Sequence, residues 1–166
     1  MSAKKPGLLG ITIALFLLLV GNGPVRASGD TQFKWVIGSS ASALAADGSM
    51  ITLTGSGTFL PDDPEEVTGG GTWMVSTGAS GTYHVTELVR FNLAPGSLPN
   101  PSIHAGLAFL RVAYSDGSRG ILAVSCHLPG TPDAVAEGIT ASKGFVDYFN
   151  LQPAPSFFQQ LSESKD

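Results

Sequence analysis

From residue 32 onward, apolar and polar residues alternate far more often with a period of two than with helical spacing, the pattern of strands with one dry and one wet face. The clearest run spans 50–59. Ile51, Leu53, Gly55, Gly57 and Phe59 share one face, while Met50, Thr52, Thr54, Ser56 and Thr58 form a hydroxyl-rich stripe on the other. Asp47-Gly48 precedes it, a pair suited to the positive φ angles of a tight hairpin, so 41–46 is the expected partner strand. An earlier strand over 32–37 brings Phe33, Trp35 and Ile37 together.

Residues 60–66, Leu-Pro-Asp-Asp-Pro-Glu-Glu, cannot be a central strand with two prolines and read as a solvated acidic loop. Extended structure resumes over 67–75 through Gly69-Gly70-Gly71 and Trp73, and again over 82–93. The proline-rich stretch 94–101 leads to a strand over 106–114. Ser115-Asp116-Gly117-Ser118 then marks a second hairpin into 119–128. Pro132 and Asp133 suit the start of one helical turn over 133–137. Residues 138–142 and 144–150 read as closing strands. Residues 152–166, with two prolines and a polar end, are expected to be a mostly disordered tail, although Phe157, Phe158 and Leu161 give it a means of docking.

The N-terminus breaks this pattern. Lys4 and Lys5 precede an apolar run from Leu8 to Val20, followed by Gly21, Pro24 and Val25-Arg26-Ala27. That is the layout of a secretory signal peptide over 1–27, with cleavage before Ser28. The run of about 13 apolar residues is short of the roughly 20 that a spanning helix needs. The expected mature domain over 28–151 is therefore secreted or periplasmic, with no membrane association after cleavage.

The 166 residues are 43% hydrophobic but only 13% charged, with 21 glycines and 11 prolines, a balance that favours strands and tight turns over solvated helices. Removing Lys4, Lys5 and Arg26 leaves six basic side chains against thirteen acidic ones, which argues against nucleic acid as a partner. Cys126 is the single cysteine, so no intrachain disulfide can form. Roughly eight strands joined by short turns predict an all-β fold, an antiparallel barrel with a two-sheet sandwich as the alternative. Gly55, Gly57 and Gly69 to Gly71 favour the barrel, because closing a small sheet demands strong bending.

Gly71-Thr72-Trp73 resembles the Gly-x-Trp element of lipocalins, which carry it near their first strand. Gly55-Ser56-Gly57-Thr58-Phe59, Gly69-Gly70-Gly71-Thr72-Trp73 and Gly144-Phe145-Val146-Asp147-Tyr148 together resemble a family of small secreted glycine-rich proteins with no assigned activity. In general plan the chain is similar to eight-stranded barrels such as allene oxide cyclase and dirigent proteins. These resemblances imply a barrel and carry over no functional residue.

Candidate chemistry lies where charges interrupt apolar faces. In 82–93, Glu87 alternates with Tyr83, Val85, Val89 and Phe91; in 106–114, Arg111 alternates with Leu107, Phe109 and Ala113. Antiparallel pairing brings Glu87 beside Arg111. Such a charge is unfavourable on an apolar face unless paired, so the two form either a partly buried ion pair, a bulge turned to solvent, or the polar end of a small-molecule pocket. Tyr83, Phe109 and Asp147 complete that candidate ligand site. His84 and Glu87 point to opposite faces of a strand and cannot chelate together, so no metal or cofactor is expected. Ser125 and His127 share a strand face, but the sequence supplies no third member for a nucleophilic triad. Three functions follow, in this order: a secreted barrel that binds a small, largely apolar molecule; a structural or surface-interaction protein with a filled core; and a cofactor-independent cyclase or isomerase using Glu87 and Arg111. Strand edges also make a homodimer an expected arrangement.

Overall fold

The structure is a computed structural model and describes residues 31–161. The predicted signal peptide lies outside the described residues. Ten strands form one antiparallel sheet: β1 Phe33–Ala45, β2 Met50–Leu60, β3 Asp63–Val67, β4 Gly70–Val75, β5 Ser80–Ser97, β6 Ile103–Tyr114, β7 Arg119–Cys126, β8 Gly138–Lys143, β9 Val146–Gln152 and β10 Ser156–Gln160. Eight of them close a barrel-like ring in the order β1-β9-β8-β7-β6-β5-β4-β2, with β2 returning to β1. The expected hairpins form at both Asp-Gly pairs. Gly48 and Gly117 adopt φ of 81° and 87°, and Asp47 and Asp116 each accept the N–H of the serine two residues on.

Four sequence expectations change. Residues 32–37 and 41–46 belong to one strand, β1, with a register shift between Ile37 and Ala41. Part of the acidic loop is strand β3, lying against the end of β2; its Pro64 sits at the sheet's edge, where a missing donor is tolerated. Residues 133–137 form no helical turn; a single bond from Val135 N–H to Pro132 O closes a turn. The C-terminal segment is also ordered through 160. Strand β10 pairs with the first half of β1 and with the start of β6, and it carries Phe158 into the core at zero exposure.

Both ends of the ring are filled. Where β10 crosses, Phe33, Phe59, Phe91 and Phe158 cluster with centroids 4.7–6.3 Å apart, Phe33 stacked on Phe59 and the other pairs tilted or edge-on, and His104 meets Phe33 edge-on at 5.7 Å. Trp35, Ile51, Leu53, Leu110, Leu122, Val124 and Ile139 pack the middle. At the hairpin end, Trp73, Tyr83 and Tyr114 form a second aromatic group, with Lys143 Nζ 4.1 Å from the Trp73 ring centroid. Lys143 is held there by an ion pair with Asp116. Between the ends, β2 and β4 approach so closely that a Cβ on Gly71 would lie 1.9 Å from Thr54 O, which explains the glycines that punctuate both strands.

Candidate functional site

The sequence-predicted site residues separate into an inner and an outer set. Tyr83 points inward and is buried, its hydroxyl donating to Thr54 O at 2.9 Å. Burial, and then the neighbouring Tyr114, push its ionisation well above the usual tyrosine range, so it serves as a core hydrogen-bond donor. Glu87 and Arg111 are register partners, as the sequence indicates, and join through Arg111 Nε and Glu87 Oε2 at 2.8 Å. Their side chains, however, lie on the outer surface, 43% and 50% exposed.

Two features of the backbone explain that placement. Register shifts between Val85 and Glu87, and between Leu88 and Arg90, turn Glu87 outward while keeping Tyr83, Val85 and Leu88 inside. On β6 both faces are apolar, and the inner one is Ala108, Leu110, Val112 and Tyr114. Arg111 and Phe109 therefore belong to the outside.

On that outer surface, Phe109 and Asp147 come together across β6 to β9. One row across the strands runs Arg111, Ile121, Ser142, Asp147. Arg111 is opposite Ile121, the Ile121 N–H donates to Ser142 Oγ at 2.9 Å, and Ser142 is opposite Asp147. The next row runs Phe109, Ala123, Thr140, with Phe149 one residue beyond the Ala141–Tyr148 pair. Phe109 and Phe149 stand as walls above the small residues Ala123 and Thr140, around a hollow of about 400 Å³. It is open to solvent along its length. Phe149 is 64% exposed, and Phe145 at the β8–β9 turn is fully exposed. Asp147 and Phe149 also border a second hollow of about 350 Å³, against Ala45, Ala46 and Asp47 of the β1–β2 hairpin. Strand β9 is thus a ridge between two depressions.

Among the described residues, the Asp147 carboxylate makes no ion pair or hydrogen bond. The terminal nitrogens of Arg111 likewise have no partner beyond the Nε contact. Ile121, Ala123, Thr140 and Phe149 are the contributors that sequence reasoning missed. Phe149 alone gave a signal, through its shared strand face with Asp147.

The Ser125 and His127 pair has a structural role. Ser125 Oγ donates to Ala136 O, and His127 Nδ1 lies 2.7 Å from Val135 O, so both hold the 133–137 turn against β7. Glu137 accepts the backbone N–H of His127 and that of Ser156, tying the end of β7 to the start of β10. Cys126 is buried, and burial first, then the Glu137 charge, push its thiol up to about 12. Among the described residues no three His, Cys, Asp or Glu side chains converge as a metal site would require. Neither known family models, nor curated proteins, nor solved structures match this chain.

Proposed function

We propose that this is a secreted surface-interaction protein: a barrel filled by its own side chains that makes its contacts through the outer face of β6 to β9. The observation that carries this reading is the outer hollow walled by Phe109 and Phe149, with the unpartnered Asp147 carboxylate at its rim. Phe145, Val146 and Phe149 are exposed together beside this hollow, and a contiguous apolar patch, unlike singly scattered apolar residues, marks a contact surface. The chemistry suits a partner that presents an apolar group beside a basic one. The filled interior favours this over a ligand held inside the ring, because eleven large side chains already occupy that space with almost no exposure. The exposed, solvent-screened Glu87–Arg111 pair likewise favours contact over catalysis, since it is not placed in a water-excluded cleft.

The test is a photo-crosslinker at Phe149, compared with one at Thr72 on the hydroxyl-rich face, in protein secreted by its own host. Adducts at 149 and none at 72 are the expected result. A bare protein at both positions, or a small molecule that native mass spectrometry finds still bound after Phe149→Ser, overturns it.

A further inference from the structure

We infer that the second hollow, on the hairpin side of β9, takes an arginine side chain of a partner protein. This rests on the surface-interaction reading above and names the group that the partner presents. The hollow lies between β9 and the β1–β2 hairpin, where Ala45 pairs with Tyr148. That pairing brings Asp147, one residue before Tyr148, and Asp47, two residues beyond Ala45, to the same space of about 350 Å³. Its walls are apolar. Phe145, fully exposed, and Phe149 stand on either side of Asp147 along the chain, and both line the hollow. An exposed aromatic patch with two carboxylates set into it is therefore what a partner meets here.

Charge selects the occupant. Asp47 spends one carboxylate oxygen on the N–H and hydroxyl of Ser49, and among the described residues its other oxygen has no partner. Two like charges on one hollow are unfavourable until a cation joins them. No basic side chain of the described residues lines the hollow. Lys143, from the neighbouring hairpin, is turned to the Trp73 ring and Asp116 instead. The walls then decide which cation fits. A calcium ion wants six or more oxygen ligands, and here aromatic rings stand where most of them would be. A guanidinium is planar, stacks on an aromatic face, and donates in its own plane through a fork that suits carboxylates. A lysine ammonium is a more strongly hydrated point charge with no such plane. Its apolar stem lets arginine cover Ala45 and Ala46 as well. The larger hollow across Phe149 then receives the apolar group next to that arginine.

The test is a titration of the isotope-labelled secreted chain with the blocked peptide acetyl-Leu-Ser-Arg-Ser-Leu-amide, read by amide NMR shifts. The peptide sets an arginine between two apolar groups. Shifts are expected to concentrate on Asp47, Val146, Asp147 and Phe149. Binding is expected to weaken by at least about threefold in Asp147→Asn and in Asp47→Asn, the latter keeping an acceptor for Ser49. With lysine or the neutral isostere citrulline at the centre, the peptide is expected to bind in the order arginine, lysine, citrulline. No shift around the hollow at about 10 mM peptide overturns the proposal, as does citrulline or lysine bound as tightly as arginine. Self-association, or capture by phosphatidylcholine vesicles, that Asp147→Asn abolishes in a chain indifferent to the arginine peptide gives the hollow to a second copy or a lipid headgroup, and overturns it equally. The crosslinker at 149 separates this failure from that of the broader reading. A protein captured at 149 by a chain that ignores the arginine peptide removes the arginine and leaves the contact face, while neither capture nor shift removes both.

Discussion

Replacing Phe158 with alanine tests whether the C-terminal strand is part of the fold or an ornament on it. The ring is wholly buried, with centroids 5.0 Å from Phe91 and 6.3 Å from Phe59. Truncating a buried phenylalanine removes its transfer free energy and leaves a void the neighbours fill only in part, which together amount to about 3–5 kcal/mol. The two aromatic contacts account for about 0.5–1.5 kcal/mol each within that range. Strand β10 also spans β1 and β6, so loosening its anchor frees the register pairs on both sides. Against a total stability of about 5–15 kcal/mol for a domain of this kind, the expected loss of about 4 kcal/mol is a large fraction. Urea unfolding followed by tryptophan emission suits the measurement, because Trp35 lies beside β10 and Trp73 reports from the opposite end. A midpoint shift of under about 1 kcal/mol, the range of surface substitutions, refutes the reasoning and returns 156–160 to the status of a loose tail.

Other consequences are as direct. Gly71→Ala drives a Cβ to within 1.9 Å of Thr54 O, a backbone atom that cannot swing aside, so a loss of at least about 2 kcal/mol in the same urea assay is expected. The Cys126 thiol, buried and pushed up to about 12, should resist a disulfide reagent at pH 8 in the folded protein and react at once in denaturant. Lys143 above all, and then Ser118, hold the Asp116 carboxyl down to about 2 from its ordinary 3.8. Its contribution to stability is therefore complete above pH 4 and fades as pH falls toward 2. Asp116→Asn is expected to flatten the acid limb of the stability profile in that window, and an unchanged limb would count against the Lys143 tether.

What the sequence made legible follows from how local each signal is. The two Asp-Gly-Ser hairpins carry their whole geometry in three residues, and the alternation over Met50 to Phe59 marks the buried face because one side is apolar and the other is not. The Glu87–Arg111 pairing was legible for the same reason: each charge sits near the middle of its strand. Which face they occupy was not. On β6 both Leu107-Phe109 and Ala108-Leu110-Val112 are apolar, so Arg111 itself was the better marker of the outside. On β5 three register shifts break the alternation, two of them beside Glu87, and nothing in the local sequence announces them. Strand β10 was hidden because its anchoring depends on distant β1 and β6, and on Glu137 holding its first N–H. Phe109 and Asp147, nearly forty residues apart in sequence, share a hollow only because β7 and β8 lie between their strands.

Pairing β1 with β10 also has a kinetic side. The first strand cannot complete its hydrogen bonding until the last has been made, and the aromatic group at that end lacks Phe158 until nearly the whole chain is available. A chain still emerging from the ribosome or a membrane channel cannot close its ring before β9 is made, nor seal the aromatic end before β10 follows. With most contacts distant in sequence, folding should be slow and all-or-none, beginning only once the C-terminus is free. If the chain is exported, as the proposed function has it, that delay keeps it threadable for as long as it needs to be.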